Sequence, residues 1–177
     1  MSEHAGNYSS IEIRARLHSQ ALRVWAIILA ITAVWLITIV SPPLLINSGI
    51  SAIPVYSFFG YICHQIPERS FHMIDHQFAV CSRCFGVYFG LLAGVATYPL
   101  WRTLDSVEPL PRFWLFLSMV PISIDWSLGV LGIWENNHLS RFITGLILGV
   151  GCAVFIIPAL VEISRNLSRK SPAPGNG

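Results

Sequence analysis

This 177-residue sequence has unusually few charged residues. Lys and Arg number 11 and Asp and Glu number 9, so charged residues are 11% of the chain, whereas an ordinary soluble domain carries about 25%. Hydrophobic residues make up 54%, and the mean hydropathy is +0.61. A soluble monomer with so few charges would expose large apolar patches and aggregate. A disordered chain and a nucleic-acid-binding module both need more charge than this. The composition excludes these three classes and indicates a membrane protein.

Four stretches are long and apolar enough to span a bilayer. A spanning helix needs about 20 apolar residues, because the hydrocarbon core is about 30 Å thick and each helical residue rises about 1.5 Å. The predicted spans are residues 24–46, 84–101, 113–134 and 142–161. Residues 47–83 are apolar at first and polar after Cys63. We therefore expect an all-α membrane protein, a four-transmembrane-helix bundle with a short re-entrant or interfacial helix in the first outer loop.

The sequence lacks an A-x-A-like cleavage site after the first span, whose apolar core exceeds the roughly 7–15 residues of a signal peptide. We interpret this span as an uncleaved anchor. Eight of the 11 Lys and Arg lie before the first span, between the second and third, or after the fourth. Because such cations stay preferentially on the cytoplasmic side, both termini are predicted to be cytoplasmic in a cell (inner) membrane protein. Residues 1–23 and 165–177 are the predicted tails around a membrane domain at 24–164. Residues 9–23 are expected to form an amphipathic surface helix, and the C-terminal tail is expected to be disordered.

Cysteine is scarce, but three of the four cysteines occur near one another in the predicted outer loop. Cys81 and Cys84 form a C-x-x-C motif, which presents two thiolates to one metal ion, and Cys63 would supply a third sulfur. The expected cofactor is zinc or iron. His72 and His76 reach such an ion more easily than His64, which is adjacent to Cys63. The candidate metal ligands are therefore Cys63, His64, His72, His76, Cys81 and Cys84.

Two other interpretations of the cysteines stay open. Outside the cytoplasm thiols oxidise, so a disulfide or redox pair, Cys81–Cys84 or Cys63–Cys81, competes with a metal site. The cysteines are also compatible with structural thiols unrelated to the histidines. Attachment of a c-type haem is excluded, because Phe85 follows Cys84 where that motif has His.

Asp125 lies within the third predicted span, roughly 13 Å from its outer end. An acid at that depth costs several kcal/mol unless it is paired, protonated or hydrated, and functional use is the first hypothesis. The alternative is a purely structural hydrogen bond. Arg83 and Arg141 lie at the outer ends of the second and fourth spans, where they either snorkel to the interface or face one pocket for an anionic headgroup or phosphate. The candidate catalytic residues are Asp125, Arg141 and Arg83.

Glycines recur at every fourth position in two of the spans. Such faces let helix backbones approach closely in lipid, which predicts tight packing between the second and fourth spans. The glycines concerned are Gly86, Gly90, Gly94, Gly145 and Gly149.

Several strings of residues resemble a known family. They are C-H-Q-I-P-E-R-S from Cys63, C-S-R-C-F-G-V-Y-F-G from Cys81, Asp125, Asn137, and R-F-I-T-G from Arg141. Over roughly residues 54–151 the chain resembles the uncharacterised membrane-protein family called domain of unknown function 2085. In that family a Gly commonly follows the membrane Asp, whereas here Trp126 does, which narrows the space above Asp125. The resemblance implies that these residues matter and supplies no reaction.

Three functions are compatible with the sequence. The first is a metal-dependent membrane protein, an enzyme acting on a lipid or isoprenoid. Arg69, Arg83 and Arg141 would hold an anionic group, and Asp125 would be a proton carrier or would support the residues that contact the metal. The second is a thiol–disulfide or quinone redox protein. The third is a small metal carrier, which would need a homo-oligomer to build a pathway. The expected partners are membrane lipid and a lipid-like or anionic small molecule, with no nucleic acid.

Overall fold

A computed structural model describes residues 2–106, 108 and 110–170, with side chains described from 12 to 168 within those ranges. The chain is about 75% helical. Its elements in order are α1 (Ser2–Asn47), α2 (Ile53–Gly60), a 3-10 turn (Pro67–Arg69), β1 (Ser70–Met73), β2 (His76–Cys81), α3 (Ser82–Trp101), α4 (Phe113–Val130) and α5 (His138–Lys170). The four long helices are long and apolar enough to cross a membrane, which confirms the predicted four-span architecture. A short helix, α2, does lie in the first loop.

The helix bounds differ from the predicted spans in ways that have local causes. The segment before residue 24 continues α1 and is no separate surface helix, and residues 165–170, predicted as a disordered tail, continue α5. The prediction for residues 171–177 lies outside the described residues. Helix α5 begins four residues before the predicted span, where the Asn137 Oδ1 accepts a hydrogen bond from the Ser140 N–H at 2.7 Å, as an N-cap does.

Helix α4 ends at Val130, four residues before the predicted end of the third span. Gly132 has φ +68°, and the Ile133 N–H donates to the Leu128 carbonyl at 3.1 Å. A glycine in the left-handed region followed by this bond is the Schellman ending of a helix. Hydropathy alone extended the span because residues 131–134 are apolar.

A β-hairpin between α2 and α3 was not predicted. Strands β1 and β2 pair antiparallel, with His72 opposite Gln77 and Met73 opposite His76. The two connecting residues, Ile74 and Asp75, have φ +52° and +62°. A two-residue hairpin turn with two positive φ values usually contains Asn-Gly or Asp-Gly, so Ile-Asp gives little signal in the sequence.

Helix α5 is central to the bundle, because it contacts the other three long helices. Helix α3 packs against α5 along its length and also contacts α1, whereas α4 packs mainly against α5 and is peripheral. The predicted glycine face is confirmed. A Cβ on Gly90 would lie 2.9 Å from the Leu146 Cα, and one on Gly94 would lie 2.7 Å from the Ala153 Cβ. The α3 and α5 backbones are therefore in direct contact, and this contact fixes the relative height of Arg83 and Arg141.

A candidate thiolate metal centre beside an arginine-lined cavity

Three cysteines from separate parts of the first loop meet where α3 begins. Cys63 follows α2, Cys81 ends β2, and Cys84 lies in the first turn of α3. Their Sγ atoms all lie within 4.8 Å of one another, and Cys63 is only 5% exposed. All three are free thiols. The hairpin returns the chain to Cys63 and so creates the cluster, which we call the thiol cluster.

Gln65 holds the thiol cluster together, and sequence reasoning missed this role. Its backbone has φ +50°, and its side-chain amide donates to the Tyr56 and Ala79 carbonyls, at 2.8 Å each. The side chain therefore joins the α2 segment to β2. The positive φ turns the chain so that the Gln65 N–H faces the Cys63 Sγ at 3.5 Å, and the Cys81 N–H faces the same sulfur at 3.3 Å.

The cluster favours release of a thiol proton. Hydrogen bonds from the Cys63 thiol and, next, from the Cys84 thiol lower the pKa of the Cys81 thiol far below its ordinary value. Backbone N–H groups directed at a sulfur stabilise its anion in the same way. Thiolates are the form in which cysteine binds metals and acts as a nucleophile. The cluster can therefore hold a metal ion or take part in thiol chemistry.

Of the three candidate histidines, only His64 lines the cavity that contains the thiol cluster. His64 is exposed but lines the same cavity as all three thiols. His72 and His76 lie on the hairpin, opposite Gln77 and Met73. Among the described side chains, no histidine nitrogen belongs to the group of ligand atoms that lie within 4.8 Å of one another. The structure thus assembles three sulfurs without a fourth protein ligand beside them.

Asp125 is buried and paired with an arginine. Its side chain is 7% exposed and forms an ion pair and hydrogen bond with the Arg83 Nη2, whose side chain is 20% exposed. The Asn136 side-chain amide donates to the Asp125 backbone carbonyl. Ser123 and Ser127, the nearest polar residues in sequence, instead donate to carbonyls four residues earlier in α4. The partner of Asp125 therefore comes from α3, adjacent in sequence to Cys84.

Arginines separate two adjoining cavities at this end of the bundle. The smaller cavity, about 340 Å³, contains the thiol cluster, and the larger one, about 630 Å³, extends towards the α4–α5 loop. Both are lined by the same four residues, Arg69, Arg83, Trp126 and Arg141. Among the described side chains, Arg69 and Arg141 have no carboxylate within 4.0 Å. We call the two adjoining cavities together the arginine cavity.

Ser82 is a buried connection that sequence reasoning also missed. Its hydroxyl donates to the Arg69 carbonyl and lies 3.0 Å from the His138 Nδ1. Ser82 is fully buried, so it is a positioning residue for the turn that carries Arg69 and for the start of α5. Cys152 lies in the middle of α5 and does not belong to the thiol cluster.

The four apolar helices define a multi-pass membrane protein, and the comparisons with known proteins agree. Residues 63–155, just over half of the chain, match the family of predicted membrane proteins DUF2085, and the chain belongs to this family. The matched range contains all three clustered cysteines, Arg69, Arg83, Asp125 and Arg141. The expected family resemblance is therefore confirmed.

Two archaeal proteins are similar to the chain. An uncharacterised protein of Methanocaldococcus jannaschii is 37% identical over 112 residues, which cover 63% of this chain and 72% of that protein. An uncharacterised protein of Methanothermobacter thermautotrophicus is 42% identical over 98 residues, which cover 54% of this chain and 85% of that protein. No solved structure matches the chain.

Proposed function

We propose that this protein binds one zinc or iron ion through Cys63, Cys81 and Cys84 and is a metal-dependent membrane enzyme. The observation that carries the proposal is the approach of the three Sγ atoms to within 4.8 Å of one another in a shared cavity. Soft thiolate ligands select zinc or iron over magnesium and calcium. A zinc ion with four protein ligands is structural, whereas one with three keeps a position for water or substrate.

The fourth coordination position is the key to the proposed chemistry. Because the three sulfurs line a cavity and no histidine among the described side chains joins them, a metal held there would keep a position for water or substrate on the cavity side. A metal ion there lowers the pKa of a bound water or polarises an oxygen of the substrate. The proposed substrate is anionic and lipid-like, such as a lipid or isoprenoid derivative, held between the ion and the arginines. Asp125 acts through Arg83, whose guanidinium it holds in place.

The proposed orientation puts both termini in the cytoplasm and the thiol cluster at the outer face of the cell membrane. The support is the distribution of Lys and Arg, of which only Arg69, Arg83 and Arg141 lie at the thiol end. A cysteine introduced at the exposed hairpin residue Asp75 should react in intact cells with a maleimide that cannot cross membranes. Protection of this cysteine until the cells are lysed would reverse the proposed orientation.

The deciding experiment is the metal content of protein purified in detergent, compared with that of two single cysteine variants. We expect about one zinc or iron ion per chain in the wild type and in Cys152→Ser, and less than about a tenth of that in Cys81→Ser. X-ray absorption of the bound metal should show about three sulfur ligands and one lighter ligand. Metal-free wild-type protein with intact, reduced thiols would refute the proposal.

One observation favours a second candidate, thiol–disulfide exchange. Cys81 is the N-cap of α3 and Cys84 lies in its first turn, where the helix dipole and N–H groups favour a thiolate. An exchange function predicts a Cys81–Cys84 disulfide in protein purified without reductant, and no metal. Mass spectrometry of the alkylated protein distinguishes the two functions, because a bound metal leaves both thiols reduced.

A further inference from the structure

The smaller of the two cavities, which holds the thiols, is lined by three arginines and has more positive charge than its neighbouring carboxylates balance. The Arg83 guanidinium is neutralised by Asp125, but Arg69 and Arg141 have no such partner among the described side chains. No Asp or Glu among the described residues lines the smaller cavity, which holds the thiols. Glu68 and Glu135 line only the larger one, and both are exposed. Arg69 is exposed as well, and over both cavities the three arginines are matched by Asp125, Glu68 and Glu135. The excess of positive charge is therefore confined to the smaller cavity.

The bound metal does not remove this excess. A divalent ion with three thiolates has a net charge of −1. Added to the two charges of Arg69 and Arg141, it leaves a net charge of about +1 in the smaller cavity. Arginine presents several N–H donors in a fixed plane that fits the oxygens of a phosphate better than a single point charge does. The positive charge and the N–H donors of the smaller cavity thus fit a small tetrahedral oxyanion.

The cavity also lies at the level of lipid headgroups if α4 spans the membrane. Asp125 is five residues from the end of α4 at Val130, which is about 8 Å along the helix. The rim carries exposed apolar side chains, with Ile62 47% exposed and Trp126 58% exposed. Helix α4, which carries Trp126, is peripheral and packs mainly against α5. An amphiphile could therefore place its headgroup in the cavity from the side.

We propose that the arginine cavity binds a phosphate-class oxyanion, with Arg69 and Arg141 as its charged partners and Arg83 as a donor fixed by Asp125. This inference deepens the proposed function, because it names the chemical class of the substrate. The binding itself does not depend on the metal, since the arginines do not belong to the thiol cluster. A lipid headgroup and a free phosphate share this chemistry.

Binding is tested with purified, metal-loaded protein and three probes of increasing apolar content. They are inorganic phosphate, glycerol 1-phosphate and a long-chain alkyl phosphate, with the alkyl alcohol as a neutral control. We expect saturable binding that Arg141→Ala and Arg69→Ala each weaken at least about tenfold, whereas Arg141→Lys weakens it less. Arg112→Ala, at the start of α4 far from the cavity, should bind as the wild type does. Metal content and unfolding temperature verify that each variant is folded.

The outcomes separate this inference from the proposed function. Preference for the alkyl phosphate over both soluble probes identifies an amphiphile as the source, and equal affinity for all three identifies a free phosphate; both support the oxyanion site. Wild-type affinity in both Arg69→Ala and Arg141→Ala, or no saturable binding by any probe, overturns it. Because metal content is measured on the same protein, a metal-loaded chain that binds no phosphate leaves the metal proposal intact. Phosphate binding by metal-free Cys81→Ser supports the oxyanion site alone.

Discussion

Helix α5 has glycines on two of its faces, and they make different contacts. On the face towards α3, a Cβ on Gly149 would lie against the Val87 carbonyl and 2.7 Å from the Leu91 nitrogen, both of them backbone atoms. On the face towards α4, a Cβ on Gly151 would meet only the side chain of Ser118, with its Cβ at 2.8 Å. The first contact joins the backbones of two helices, and the second meets the side chain of one residue on the peripheral helix α4.

The difference explains why the cavities lie where they do. The α3–α5 contact is close and leaves no space, so Arg83 and Arg141 are held at the same level along the bundle axis. The α4–α5 contact is looser, and an apolar cavity of about 450 Å³ lies along it, lined in part by Pro121 and Phe155. The arginine cavity lies at one end of this looser side. A rigid helix pair thus positions the charges, and a peripheral helix leaves room for a ligand.

The largest expected effect comes from breaking the ion pair that joins α4 to α3. Asp125→Asn keeps the shape of the side chain but leaves the Arg83 guanidinium buried and charged without a counter-charge. We expect a loss of about 3 kcal/mol in the free energy of unfolding, measured by denaturant titration in mixed micelles. Ser123→Ala, on the exposed side of α4, is the matched control and should change it by less than about 0.5 kcal/mol. Wild-type stability in Asp125→Asn would mean that the pair contributes nothing to holding α4.

A matched pair of glycine substitutions tests the contrast between the two faces directly. Gly149→Ala should cost about 2 kcal/mol, because the added methyl group meets backbone atoms and overpacks the contact. Gly151→Ala, two residues along the same helix, should cost less than about 1 kcal/mol, because α4 packs mainly against α5 and can shift to relieve the contact with the Ser118 Cβ. Thermal unfolding of both variants in one detergent gives the comparison. Equal losses would show that the two faces are packed alike.

The smallest effect on stability is expected at Trp126, the one uncharged side chain among the four that line both cavities. Trp126→Ala should change the free energy of unfolding by less than about 1 kcal/mol, because the side chain is 58% exposed. It should nevertheless speed the reaction of a bulky maleimide with the metal-free thiol cluster several-fold, because it opens the smaller cavity. Trp114→Ala, at the opposite end of α4, should leave that rate unchanged. An unaltered rate in Trp126→Ala would show that Trp126 does not restrict access.

Local patterns in the sequence were enough for much of the fold. Four apolar stretches predicted four long helices, and glycines at every fourth position predicted which two pack most closely. The hairpin was missed because its turn uses Ile74 and Asp75 in place of the usual glycine. The end of α4 was missed because residues 131–134 are as apolar as the helix before them.

The candidate site was only partly predictable. The C-x-x-C motif and Cys63 indicated a shared thiol site. The sequence favoured His72 and His76 over His64 as the fourth ligand, but only His64 lines the cavity with the thiols, and none of the three lies among the sulfurs. Gln65 carried no chemical signal, because its role depends on carbonyls of Tyr56 and Ala79 that are distant in sequence. For the same reason, Arg83 could not be identified as the partner of Asp125.

The sequence by itself determined that this is a membrane protein and how many helices are long and apolar enough to cross the bilayer. It also determined which few polar residues lie among the apolar ones. These properties follow from composition and helical period, which each segment carries on its own. Only the tertiary structure decided which of the polar residues touch. The close α3–α5 backbone contact and the return of the hairpin to Cys63 bring residues that lie up to 78 positions apart, from Cys63 to Arg141, to one end of the bundle. Such contacts depend on packing between segments, which no single segment encodes.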